Sequence, residues 1–174
     1  MAINMIVAVD ESNAIGYKGK LLFRIKPDLE RFQDLTTNSS GHRNICVMGR
    51  RTFEELKKPL SHRTNVVISR NESLDVPKEV IVENDIHKIL NHYLESGIQD
   101  RDIWVLGGIS IFEEFVPHTD KIYLTKIHTK AEKSDTYFKE EWLSDFHVTD
   151  VVVNYSDQYE CAYSFITYER NKME

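Results

Sequence analysis

Residues 103–115 read IWVLGGISIFEEF, and this stretch decides the fold. Ile103–Leu106 is a short apolar run with β-branched and aromatic side chains, the pattern of a strand covered on both faces. It runs straight into Gly107-Gly108, and Ser110–Phe115 continues as a helix. A buried strand, a glycine turn and a helix in succession form half of a parallel strand–helix–strand unit. The same order recurs upstream. Asn44–Met48 is a strand ending at Gly49, and a short helix from Thr52 to Lys57 stops before Pro59. Ile3–Val9 and Asn65–Ser69 are two further continuous apolar strands, and Glu79–Val82 is a shorter one. Pro27–Leu35 is a helix with proline near its start, Asp28 and Glu30 in its first turn, and Leu29, Phe32 and Leu35 on one face. Ile86–Leu94 carries Ile86, Ile89, Leu90, Tyr93 and Leu94 at helical spacing.

From Lys121 the rhythm changes. Ile122–Ile127, Val148–Asn154 and Ala162–Tyr168 are strands with nothing longer than a turn at Glu140–Ser144 between them. Alternation followed by strands alone predicts an α/β fold, with a mixed, mainly parallel eight-stranded sheet, helices on both faces and an antiparallel C-terminal edge. No linker, repeat or low-complexity tract interrupts residues 1–174, so a single domain is expected.

Composition narrows the function classes. The 174 residues are 41% hydrophobic and 29% charged, enough for one sizeable core. Lys and Arg number 22 against 28 Asp and Glu, a net charge of −6 without a basic block, which argues against general nucleic-acid binding. No apolar run reaches the roughly 20 residues of a membrane-spanning helix. Residues 1–10 lack the pattern of an export signal, so a cytoplasmic protein is expected. Cys46 and Cys161 lie in strand-like stretches and read as reduced core thiols. The seven histidines show no metal-binding spacing, and no serine or cysteine has the setting of a nucleophile, so no metal is expected.

In an open α/β sheet ligands bind beyond the carboxyl ends of the strands. The segments there are 10–24, Gly49-Arg50-Arg51-Thr52, Ser69-Arg70-Asn71 and Gly107-Gly108-Ile109-Ser110. Gly49-Arg50-Arg51-Thr52 opens a helix and is either a solvated charge pair or, joined by Ser69-Arg70, a cradle for a phosphate monoester. Gly107-Gly108 permits a diphosphate to approach the backbone. The three-glycine dinucleotide fingerprint and the P-loop pattern are both absent. Asp28 is either a first-turn acid complementing the helix dipole or a carboxylate facing an apolar cleft. Arg63 is either an exposed cation or a bidentate clamp for a carboxylate.

Taken in order, these pieces resemble the dihydrofolate reductase family from Ile3 to about Glu169. The resemblance is carried by Ala14-Ile15-Gly16, Asp28-Leu29-Glu30-Arg31-Phe32, residues 47–54 (VMGRRTFE), residues 63–70 (RTNVVISR), Gly107-Gly108 with Phe112, Tyr123-Leu124-Thr125 and residues 135–138 (DTYF). It implies NADPH as cofactor, 7,8-dihydrofolate as substrate and antifolates as inhibitors, on a monomer producing tetrahydrofolate for one-carbon metabolism. It implies that Asp28, with Thr125, grips the pterin edge, and that Ile6, Val7, Ala8, Leu29, Phe32 and Leu56 wall the substrate. Arg63 then holds the glutamate tail. Ala8, Ile15, Gly16 and Leu106 fall to the nicotinamide pocket, and Gly19 and Lys20 fall to the cofactor as well. Gly49, Arg50, Arg51, Thr52, Ser69 and Arg70 fall to the adenosine phosphate. Gly107 and Gly108, joined by a cis peptide in the family, approach the cofactor together with Ile109, Ser110, Ile111 and Phe112.

The stretch Ile15–Phe23 matches a loop that closes over the site. Leu22-Phe23 departs from the family's Pro-Trp, so the catalytic position Phe23 lacks an indole N–H to hold a water. Phe112 stands where tyrosine is common, and Ile109 replaces a frequent third glycine. Two other readings compete: an NADPH reductase of the riboflavin-pathway type, and a non-catalytic nucleotide-binding domain. Asp28, Phe32 and Arg63 together favour neither.

Overall fold

The computed structural model describes residues 1–38, 40–97 and 100–174. In chain order it contains β1 (Ile3–Val9), β2 (Ala14–Tyr17), β3 (Lys20–Leu21), α1 (Lys26–Thr36), β4 (Ile45–Gly49), α2 (Arg50–Leu56), β5 (Thr64–Ile68), β6 (Ile81–Glu83), α3 (Ile86–Glu95), β7 (Ile103–Gly107), α4 (Ile109–Phe115), β8 (Lys121–Ile127), β9 (Thr136–Tyr137), β10 (Phe146–Ser156) and β11 (Cys161–Arg170). Single 3-10 turns cover Val116–His118 and Glu140–Leu143.

Eight strands form one sheet in the order β10-β11-β8-β1-β7-β4-β5-β6. The pairs from β8 through β1, β7, β4 and β5 to β6 are parallel, whereas β11 runs antiparallel to both β8 and β10. This is the expected mixed sheet with its antiparallel C-terminal edge. Alternation along the strands divides the core. Ile45, Val47 and Val105 face a cluster completed by Ile86, Ile89 and Leu90 of α3 and Phe112 and Phe115 of α4. Cys46, Met48 and Trp104 face the opposite side, where Leu35 of α1 and Phe53 and Leu56 of α2 cover them. The side chain of Leu94 is outside the described set. No helix among the described residues is long and apolar enough to cross a membrane.

Two features differ from the sequence expectation, the start of α2 and a second sheet, while the end of α2 ahead of Pro59 is as expected. α2 begins at Arg50, two residues early, because Gly49 is its extended N-cap and both arginines enter the first turn. The helix ends where Lys57 turns left-handed at φ 64, ahead of Pro59. A second sheet, β3-β2-β9, is new: strands of two to four residues are too short to show a period. Asp10 organises this region. It is almost fully buried, and its carboxylate accepts N–H groups of Ser12, Ala14 and Ala131 at 2.8–2.9 Å, turning the chain out of β1 and into β2.

Candidate active site

A cleft of about 260 Å³ opens beside the carboxyl ends of the central strands. Its floor is Ile6, Val7 and Ala8 of β1, Leu106 of β7 and Thr125 of β8. One wall is Asp28, Leu29 and Phe32 of α1, and the other is Thr52, Glu55 and Leu56 of α2. Leu21 and Arg24, from the segment entering α1, complete the rim. The helix spacing explains both walls: residues 28, 29 and 32, like 52, 55 and 56, lie three and four apart and share one helix face.

Asp28 is the acid on the α1 wall of this cleft. Pro27 lies in the first turn of α1, and that turn aims the Asp28 carboxylate toward Thr125 of β8. The Thr125 hydroxyl donates to Asp28 Oδ1 at 2.6 Å. Burial pushes the Asp28 carboxyl above its ordinary value, with the Thr125 hydrogen bond and the Arg31 charge opposing the rise. Arg31, one turn on, seats its guanidinium 4.4 Å from the Phe165 ring centroid and 5.6 Å from that of Tyr123. Burial also raises the Tyr163 hydroxyl, and the charge of Asp28 adds to it.

Every residue assigned to the substrate walls lines the cleft except Arg63. The two alternatives for Arg63 resolve to a buried guanidinium that is already anchored. Nη1 donates to Thr36 Oγ1 at 2.9 Å, Nε donates to the Ser61 carbonyl at 2.8 Å, and the group stands 6.0 Å from the Phe32 ring. Phe23 is also displaced from the expected place. Its ring meets Tyr159 edge-on at 5.1 Å within a separate apolar cluster, and it is absent from the cleft lining. Packing against the turn between β10 and β11 supplies the reason.

The turns after β4 and β7 form a second region. These strands are neighbours, so the first turns of α2 and α4 lie side by side. A Cβ on Gly49 would stand 3.7 Å from the Gly107 carbonyl oxygen and the Gly108 nitrogen. The Gly107–Gly108 peptide is cis. Gly107 has φ +104, and a Cβ there would meet the Phe112 ring at 2.9 Å, whereas a Cβ on Gly108 would project into open space. A cavity of about 440 Å³ adjoins the cleft at Glu55, lined also by Lys18, Gly19, Lys20, Arg51 and Glu54. Of the other expected phosphate contacts, Arg50 is exposed with Nε donating to Glu54 at 2.8 Å, Arg70 is exposed, and the Ser69 hydroxyl accepts the Asn71 N–H at 3.1 Å.

Ile15 is partly buried against the core, and Gly16 is buried in β2 opposite Leu21 and Thr136. Ile111 and Phe112, expected at the cofactor, instead turn into the core, since positions three and four after Gly108 face the sheet. Ile109 leans on the same core, and Ser110 is exposed.

Sequence reasoning did not single out Leu21, Arg24 and Glu55 in the cleft, or Lys18 and Glu54 in the second cavity. Glu55 was within reach, being three residues after Thr52 on a helix already recognised. Leu21 and Arg24 carry no periodic signal.

Comparison with known proteins agrees with this arrangement. The family model described as dihydrofolate reductase matches residues 2–170. A dihydrofolate reductase of Drosophila melanogaster is 36% identical over 146 residues, 79% of each chain. One from Haemophilus influenzae is 31% identical over 172 residues, covering 96% of this chain and 99% of its own. The solved dihydrofolate reductase of Enterococcus faecalis, complexed with NADP(H) and RAB-propyl, superposes with a TM-score of 0.85 at 30% identity, covering 98% of this chain and 97% of that one. With the family model spanning nearly all of it, and Asp28 meeting Thr125 in a cleft at the carboxyl ends of the central strands, this chain belongs to the dihydrofolate reductase family.

Proposed function

We propose that the chain catalyses NADPH-dependent reduction of 7,8-dihydrofolate to 5,6,7,8-tetrahydrofolate, residues 1–174 acting as one catalytic domain in the reducing environment of the cytoplasm. The observation that carries this reading is the Asp28 carboxylate, held by Thr125 at 2.6 Å in a mainly apolar cleft that reaches Leu106 next to the Gly107-Gly108 turn.

The residues present fit the cofactor. A dinucleotide needs backbone exposed to its diphosphate and cations for its anionic groups. Gly108 offers open backbone at the start of α4, beside the start of α2, and Lys18, Lys20 and Arg51 line the adjoining cavity. Gly49, Thr52, Ser69, Arg50 and Arg70 stand at the same ends of β4 and β5 for the adenosine side. When bound, NADPH supplies the hydride that C6 of dihydrofolate accepts.

Asp28 accepts hydrogen bonds from the amino group and ring N–H of the pterin edge, and Thr125 spends its own hydrogen on Asp28, which orients the carboxylate. Ile6, Leu29, Phe32 and Leu56 exclude water and stack the ring in one plane. Because Asp28 grips the edge remote from N5, the N5 proton arrives from water, and the carboxylate's charge raises the basicity of N5 through the ring. One NADPH and one proton are consumed for each tetrahydrofolate formed. Arg63, anchored beside Phe32 at the far end of α1, holds the tail carboxylate in this reading.

The test is direct. Purified protein should lose reduced-nicotinamide absorbance only when NADPH and dihydrofolate are both present. Oxidation with a riboflavin-pathway intermediate alone, or tight NADPH binding without turnover, would sink the proposal.

A further inference from the structure

The cleft rim carries an ion pair that the reaction described above does not use. Arg24 Nη2 donates to Glu55 Oε1 at 2.6 Å. Arg24 belongs to the segment between β3 and α1, and Glu55 to α2, so the pair joins opposite sides of the cleft mouth. Both side chains line the cleft, and Glu55 also lines the adjoining basic cavity. Glu54, the neighbouring acid, is engaged by Arg50 one turn back, which leaves Glu55 as the acid turned toward Arg24. On its other side Arg24 is tied by its backbone, whose N–H donates to the Tyr159 hydroxyl at 2.9 Å. The chain between Leu21 and α1 is therefore pinned at Arg24, through its side chain on Glu55 and its backbone on Tyr159.

We propose that Arg24 and Glu55 form a positioning pair that holds the Leu21–Arg24 wall against the bound ligand and thereby sets how fast ligand leaves the cleft. Arg24 keeps 57% of its side chain exposed against 20% for Glu55, so the attraction is partly screened by water and responds to salt. A pair of this kind changes an opening equilibrium by a small factor. That suits a wall that must admit and release ligand in every cycle. The identity of the ligands rests on the proposed function; the pairing and its hold on the segment do not.

The experiment compares the parent with Glu55→Gln, Arg24→Gln and the exchanged pair Arg24→Glu/Glu55→Arg. Dissociation of NADPH and of dihydrofolate is followed by stopped-flow trapping at low and high salt. Each single variant should speed dissociation about two- to fivefold at low salt, with the difference shrinking at high salt. The exchanged pair should return to within about twofold of the parent. Parent-like single variants, or an exchanged pair no better than the singles, would overturn the proposal. A ligand-free measurement stands beside it. Hydrogen exchange at the Arg24 amide should accelerate in both single variants and slow again in the exchanged pair, and unchanged exchange would also overturn it. A parent that fails to oxidise NADPH with dihydrofolate, while the exchange pattern holds, would remove the proposed function and leave the pair standing.

Discussion

Asp28 sits among Ile6, Leu29, Phe32 and Leu56, and the apolar surroundings that exclude water from the substrate also disfavour its ionised form. In the window between the ordinary carboxylate value and its raised one, the native state holds more proton than the unfolded chain. Stability therefore falls as pH rises through that window, and above it the full cost of the buried charge remains. Asp28→Asn should accordingly raise stability near neutral pH by on the order of 1 kcal/mol, a gain that fades on acidification toward about pH 4. Thermal melts at the two pH values check it. In the same variant hydride transfer in single turnover should fall by a factor of hundreds or more, while NADPH affinity changes by less than about threefold. Equal losses in both would argue against the role given to the carboxylate. Thr125→Val removes the hydrogen bond that opposes the rise. The acidic limb of the pH–rate profile should then move to higher pH, with a loss in rate of about tenfold. The residue types at 28 and 125 are legible in the sequence, but their meeting is not, since 97 positions separate them.

At the level of elements, the starts of α2 and α4 set the site. Each begins directly after a parallel strand, and the adjacency of β4 and β7 places both starts together. Gly107 shows how little freedom that leaves, with a positive φ and the Phe112 ring 2.9 Å from any Cβ. Gly107→Ala should lower stability by about 2–4 kcal/mol through strain and overpacking. Differential scanning calorimetry would register this as a lower Tm, and an unchanged Tm would contradict the packing described. Elements long enough to show a period were legible: β1 runs from Ile3 to Val9 as read, and the helices fall within two residues of expectation. β2, β3 and β9 were not. Their pairing depends on contacts such as Asp135 N–H to the Gly16 carbonyl at 3.0 Å, which bridge distant segments.

Over the whole molecule, the sheet separates two apolar layers and leaves β10 as its outer edge, with Val151, Val153 and Tyr155 more than half exposed. Both cysteines are free and buried. Burial pushes the Cys46 thiol up to about 12 against the pull of Arg63, and raises the Cys161 thiol as well. Neither forms the reactive thiolate readily. Native protein should therefore label slowly with a disulfide reagent, and two thiols should appear together on unfolding in denaturant. Rapid reaction of one thiol in the native state would show that its strand opens locally.

What the sequence determined on its own was the alternation of strands and helices, the antiparallel ending and the types of side chain at the strand ends. Local periodicity and turn chemistry carry that information along the chain. Only the tertiary structure decided which of those residues share a cleft. It turned Ile111 and Phe112 into the core, packed Phe23 on Tyr159, anchored Arg63 on Thr36 and Ser61, and brought Arg24 across to Glu55. These outcomes depend on how strands order in the sheet and how segments far apart in the chain pack, and no local pattern encodes that.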